Sequence, residues 1–157
     1  MPKTLDPPLR IAPLDDRPQF RKTVADRIWR AWWQDQGVPL AEIDGRVGES
    51  LGRETIPTTL VATIGERFAG TVSLIDSDMD ERPDYRPWIA ALWVDPAHRG
   101  SGTGTLLLAA AAAKAFEAGF DRVYLCAKSS KAAFYVSRRW LPIEEDVAGL
   151  TIFALAR

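Results

Sequence analysis

The chain has a single cysteine, Cys126, and a single histidine, His98, in 157 residues. One thiol excludes an internal disulfide, and the two residues together are too few for a structural zinc site. An excess of either charge is also missing: 20 Lys and Arg stand against 21 Asp and Glu, for a net charge of −1. A general nucleic-acid or membrane surface carries a strong basic excess, so neither partner is expected. No apolar run approaches the ~18 residues of a membrane span. The opening MPKTLDPPLR lacks the apolar core of a signal peptide. A cytoplasmic location without metal or membrane is therefore the expectation.

What is present is a globular balance, 46% hydrophobic and 26% charged, at a length that builds one domain with its own core. Met1 to Pro8 read as a tail and residues 9–157 as a single domain. LRIAPL is a short first strand. Asp16 followed by Gln19 has the spacing of a capping box. Phe20, Val24, Ile28 and Trp32 recur every four residues and predict one apolar helical stripe, widened by Trp29 and Trp33. A weaker helix is expected over Leu40 to Leu51. TTLVATIGERFAGTVSLID predicts two strands about a turn at Gly65-Glu66-Arg67. An acidic, proline-bearing loop, SDMDERPDYRP, follows. WIAALWV is apolar on both faces, as a central strand is. A helix is expected to about Ala118, with Gly119 as its C-cap. RVYLCA, KAAFYVSRRW and GLTIFALA then give a buried strand, a short helix and a last strand. The order β-α-α-β-β-β-α-β-α-β predicts a mixed α/β sheet.

The stretch LWVDPAHRGSGTGTLLLAAAAA, Leu92 to Ala113, places Gly100, Gly102 and Gly104 between a strand and a helix. A phosphate loop of the Walker type requires Lys-Ser/Thr after the last glycine, but Thr105 and Leu106 follow. A dinucleotide fingerprint requires G-x-G-x-x-G beside the first strand of a βαβ unit, and this motif is G-x-G-x-G after several antiparallel strands. Two readings remain from the glycines alone. One is a flexible turn; the other is a cradle of bare N–H groups that holds a pyrophosphate at the positive end of a helix.

Read whole, V-D-P-x-x-R-G-x-G-x-G resembles the acetyl-CoA motif of the GNAT superfamily of N-acetyltransferases. Arg99, Gly102 and Gly104 match the family core Arg/Gln-x-x-Gly-x-Gly/Ala. AAFYVSRRW is similar to the family's A-x-x-F-Y-x-x-x-G-F helix, and the element order agrees from Leu9 to Arg157. The resemblance implies a mostly antiparallel sheet flanked by helices, with a strand pair splayed around acetyl-CoA. It implies transfer of acetyl to a primary amine of a small molecule or peptide, with acetyl-CoA as cosubstrate. Leu92, Trp93 and Val94 would line the pantetheine arm. Arg99, Gly100, Ser101, Gly102, Thr103, Gly104 and Thr105 would surround the pyrophosphate. Tyr135 occupies the position of the general acid that protonates the CoA thiolate, while Phe134 packs.

Departures from the family pattern lie on the acceptor side. Where relatives carry a Glu on the motif strand, this chain has Trp88, and WIAALWV holds no titratable side chain. Water, Glu42, Asp44 or Glu144 remain as alternatives for the base. The Asn common at the start of the tyrosine helix is replaced by Ser129 and Ser130, and Gly-Phe after it by Trp140-Leu141. His98 stands for the usual Gln, and Cys126 reads as a packing residue. The acids Asp76, Asp78, Asp80, Glu81 and Asp84 form a solvated loop or attract a cationic amine. Trp29, Trp32 and Trp33 fit the wall of an acceptor cleft, the core or a homodimer contact equally. The missing carboxylate keeps a second function open, a noncatalytic acyl-CoA-binding or regulatory module.

Overall fold

In the computed structural model, residues 7–52 and 54–157 are described. The expected tail therefore lies, up to Asp6, outside the described residues. The elements are β1 (Leu9–Pro13), α1 (Arg21–Ile28), α2 (Leu40–Glu49), β2 (Thr58–Ile64), β3 (Arg67–Ile75), β4 (Trp88–Val94), α3 (Thr103–Glu117), β5 (Arg122–Ala127), α4 (Ala132–Val136), β6 (Leu141–Val147) and β7 (Leu150–Ala156). The strands make a seven-stranded sheet in the order β1-β2-β3-β4-β5-β7-β6. Every neighbouring pair is antiparallel except β4 and β5.

Helix α3 covers one face of the sheet. Its Leu107, Leu108, Ala111, Ala112 and Ala115 pack with Val72, Leu74, Ile89, Val123 and Phe153. The small side chains let the helix approach the sheet closely. Helices α1 and α2 cover the opposite face, where Val24, Ile28, Ile43 and Val47 meet Val61. A third cluster of Met79, Trp88, Val147 and Ile152 lies farther along, with Tyr85, Tyr124 and Cys126 packed against it. Together these clusters fix β4 as a central strand, as its apolar sequence predicts.

Four local expectations are corrected. Asp16 caps nothing: it ends a 3₁₀ turn, Leu14–Asp16, and Phe20 precedes α1 without a side-chain cap. The four-residue stripe holds at Val24 and Ile28 but fails at Trp32, which is 42% exposed. The chain widens into a π-helical stretch over Trp29–Trp33. The wider turn rotates the following residues, so the stripe continues at Trp33, packed inward with Trp29. The first hairpin turn holds only Gly65 and Glu66, since Arg67 pairs with Ile64 as the first residue of β3. Finally, β6 was not expected as a strand. It is the sheet edge, with Leu141, Pro142, Ile143, Glu145 and Asp146 exposed. Proline and charge are what an edge tolerates and what hides it from hydrophobic patterning.

Candidate active site

Strands β4 and β5 share one ladder pair, Trp88 with Tyr124. The Tyr124 N–H donates to the Pro87 carbonyl at 3.0 Å. Beyond that point the parallel pair has no further register partner, so the two strands part toward Val94 and Ala127. A gap in the middle of a sheet leaves backbone N–H and C=O groups without ladder partners, and such groups demand a ligand or water.

One wall of the gap is reshaped by a bulge. Thr71 pairs with Trp93 and Ser73 with Ala90, so two steps along β3 oppose three along β4. Ala91 takes φ +54, a left-handed conformation that a side chain resists. Ala91 and Leu92 are thereby released from the β3 ladder. Leu92 and Val94 pack on the α3 side, whereas Trp93 turns to the other face and stacks on Phe68 with ring centroids 6.0 Å apart.

The gap leads into the glycine turn. Asp95 accepts from the Ala97 N–H at 3.1 Å and starts a 3₁₀ turn over Pro96–His98. His98 donates its backbone N–H to the Asp95 carbonyl. Gly100 and Gly102 take φ +80 and +89, conformations in which any Cβ is strained. Gly102 is the N-cap of α3, and the first helical bond closes from the Leu106 N–H to its carbonyl at 3.1 Å. The preceding N–H groups, on Gly102 to Thr105, have no helical acceptor and form the positive pole of a fifteen-residue helix. Thr103 is buried, while Gly100, Ser101 and Gly102 are exposed. The Ser101 hydroxyl donates to the His98 carbonyl at 2.8 Å, so it shapes the turn and leaves the amides free.

Two guanidinium groups flank this pole. Arg99 donates from Nε to the Val94 carbonyl at 2.8 Å and lies 5.7 Å from the Trp93 ring. Arg138, which the sequence reading passed over, donates from Nε to Thr105 Oγ1 at 2.7 Å and stacks 3.7 Å from the Phe134 ring centroid. Its spacing of four from Phe134 within the expected helix KAAFYVSRRW was the available signal, although α4 ends at Val136 and Arg138 lies in the turn after it. Left-handed glycines, free amides and two fixed cations make a donor set that suits a pyrophosphate.

Tyr135 sits on α4 at the α3 face of the sheet. Its ring meets Phe134 edge-on at 5.0 Å and Phe153 at 5.2 Å. Burial raises its phenol pKa, and the nearby Cys126 thiolate would raise it further. Cys126 lies on β5, two residues past Tyr124. Its thiol donates to the Asp78 carboxylate at 3.4 Å, and burial, then the Asp78 charge, push its pKa up to about 12. The Asp78 carboxyl is itself raised by shielding from water, although the thiol bond pulls it down. The residue as a whole is exposed; its carboxylate end is the part turned in against β5.

The carboxylates considered for the base are all held in ion pairs. Glu42 pairs with Arg46 at 3.2 Å along α2, and Asp44 with Arg21 at 3.2 Å. Glu144 accepts from Arg82 at 2.7 and 2.8 Å and from the Tyr85 hydroxyl at 2.7 Å, which holds its carboxyl down to about 2. Trp88, in the position of the family Glu, is fully buried and donates Nε1 to the Tyr85 carbonyl.

A parted strand pair, a bulge and a glycine turn leading into a helix define an acyltransferase fold. Residues 14–138 match the family model described as Acetyltransferase (GNAT) family. The chain belongs to the GNAT family of acetyltransferases, and it is an acyltransferase. No curated protein matches it in sequence. Among solved structures, yncA from Salmonella typhimurium with its cofactor acetyl-CoA superposes with a TM-score of 0.73 at 20% identity, over 94% of this chain and 93% of that one. An acyl-CoA N-acyltransferase from Pseudomonas aeruginosa gives 0.67 at 20% identity, over 95% and 100%. An aminoglycoside 6'-N-acetyltransferase complexed with coenzyme A gives 0.73 at 14% identity, over 94% and 96%. Likeness at these identities establishes the fold.

Proposed function

We propose that residues 9–157 act as one domain that moves acetyl from acetyl-CoA directly to a primary amine of a small molecule or peptide. The observation that carries this reading is the parting of β4 and β5 beyond Trp88 and Tyr124, which ends at the amide-lined start of α3. The pantetheine arm occupies the gap as an extra strand, bonded to backbone groups of Leu92 and Val94. The pyrophosphate rests on the amides from Gly100 to Thr105, with Arg99 and Arg138 beside it. The similar structures named for acetyl-CoA or coenzyme A support acetyl-CoA as the cosubstrate.

The reaction needs polarisation, deprotonation and protonation. The Leu92 N–H, freed by the bulge, donates to the thioester carbonyl as it becomes an oxyanion. The neutral amine's lone pair forms the C–N bond. Collapse breaks the C–S bond, and its electron pair leaves on sulfur. Tyr135 gives that thiolate its phenolic proton. The elevated Tyr135 pKa keeps the phenol protonated at neutral pH, so its proton is in place as negative charge develops on sulfur. The phenolate recovers a proton from the nitrogen of the new amide through solvent.

The absence of any titratable side chain on β4 favours a second reading, a binding module without turnover. Incubation with acetyl-CoA and a panel of primary amines separates the two. The transfer reading expects CoA thiol release matched by an acetylated amine in the mass spectrum. Acetyl-CoA binding with no release for any amine supports the module.

A further inference from the structure

Resting on the transfer reading above, we infer that Asp78, projecting from the β3–β4 loop onto β5, is the general base that takes the acceptor's ammonium proton. Direct transfer requires a base on the amine side of the thioester carbon and an acid on the sulfur side. Tyr135 belongs to the cluster on the α3 face. Cys126, against which Asp78 rests, belongs to the cluster on the opposite face with Met79 and Trp88. The two groups therefore approach the strand gap from opposite faces, close to where β4 and β5 separate.

Among the described acids of its loop, Asp78 is the one whose carboxylate bonds to β5, and it differs from the nearby acids that hold cations. Asp76 is neutralised by Arg86 at 2.6 Å and Glu144 by Arg82 at 2.7 Å. Among the described residues, the hydrogen-bond partner of Asp78 is a thiol, not a cation. A carboxylate without a bound cation is free to attract one, and the acceptor arrives as an ammonium ion. The loop is anchored for this task. Met79 is buried at 5% exposure, and Arg82 and Tyr85 both reach Glu144 on β6. Shielding of the Asp78 carboxylate narrows its pKa gap to the ammonium, which favours proton transfer.

The step balances. The ammonium N–H bond breaks, its electron pair stays on nitrogen, and the proton goes to the Asp78 carboxylate. That lone pair then attacks the thioester carbon, and Asp78 later returns the proton to solvent.

The experiment uses the full chain and Asp78→Asn with acetyl-CoA and two kinds of acceptor. n-Butylamine, spermidine and lysine amide are cations at neutral pH; aniline is neutral there. The expected result is a loss of kcat/KM on the order of 10²–10⁴-fold for the alkylamines, with the aniline rate and acetyl-CoA affinity within a few-fold of the parent. Equal activity on alkylamines, or an equal loss on both classes, overturns the assignment and leaves transfer itself standing. No release by the parent with any amine removes the transfer reading and the base with it. If Asp78→Asn fails to fold, Cys126→Ala carries the test. Cys126 faces Asp78 from β5, and Glu81 of the same loop and Tyr135 of α4 lie near enough to that thiol to act on it electrostatically. Removing the thiol's bond to the carboxylate raises the Asp78 pKa, so the acid limb of kcat/KM should move to higher pH. An unmoved limb overturns the assignment.

Discussion

Trp88 and Tyr124 are the one pair at which the parallel strands β4 and β5 meet, and their rings lie 5.7 Å apart. Tyr85 stacks on Tyr124 at 4.5 Å, so three aromatic residues brace the point from which the strands diverge. The gap is thus built into a rigid corner of the sheet. Trp88, fully buried, closes that corner and offers no carboxylate there.

Replacing Tyr135 by Phe removes one hydroxyl and almost no volume. If the phenol protonates the CoA thiolate, kcat should fall on the order of 10²–10⁴-fold, while acetyl-CoA affinity changes little. Turnover within a few-fold of the parent would reduce Tyr135 to a packing partner of Phe134 and Phe153.

The glycines of the turn should respond differently. Gly102 needs φ +89, and Gly102→Asp adds both backbone strain and negative charge beside the pyrophosphate. Binding of acetyl-CoA should be lost, with the circular dichroism of the sheet preserved. A Cβ on Gly104 meets Val94 Cγ2 at 3.5 Å and Phe134 at 3.9 Å, ordinary contacts. Gly104→Ala should therefore fold and bind. Calorimetric titration of the two variants checks both outcomes.

The Arg82–Glu144 pair gives a pH dependence of stability. Glu144 has a folded pKa of about 2, below the unfolded value of about 4.3. The unfolded chain binds the proton first as the solution is acidified, so the pair stabilises the fold above the unfolded value. That contribution is lost as pH falls through about 2. The melting-temperature difference between the parent and Glu144→Gln should be largest near neutral pH and should close in strong acid. A difference that persists there would assign the effect to packing.

Much of this was readable from residue order alone. The glycine turn, the apolar motif strand and the Phe134-Tyr135 helix are local patterns, and local patterns survive in a sequence. The π-helical stretch at Trp29–Trp33 was not readable, because the four-residue spacing through Trp32 satisfies an ordinary helix. β6 was hidden because an edge strand with Pro142 and three acids lacks alternation. Asp78 was hidden for a deeper reason. Its partner Cys126 is 48 residues away, and nothing within SDMDERPDYRP distinguishes one acid from the next. The ion pairs that occupy Asp44 and Glu144 are likewise tertiary facts, whereas Glu42 and Arg46 are a local i,i+4 pair along α2.

The central claim is direct transfer within the gap, and initial rates measured against both substrates test it most directly. Cys126, with its thiol raised to about 12, is a poor nucleophile at neutral pH. The account predicts that CoA release requires acetyl-CoA and an amine together, with double-reciprocal lines that intersect. Parallel lines with an acetyl group trapped on Cys126 would indicate a covalent intermediate and would contradict it, as would acetyl-CoA binding without release for any amine.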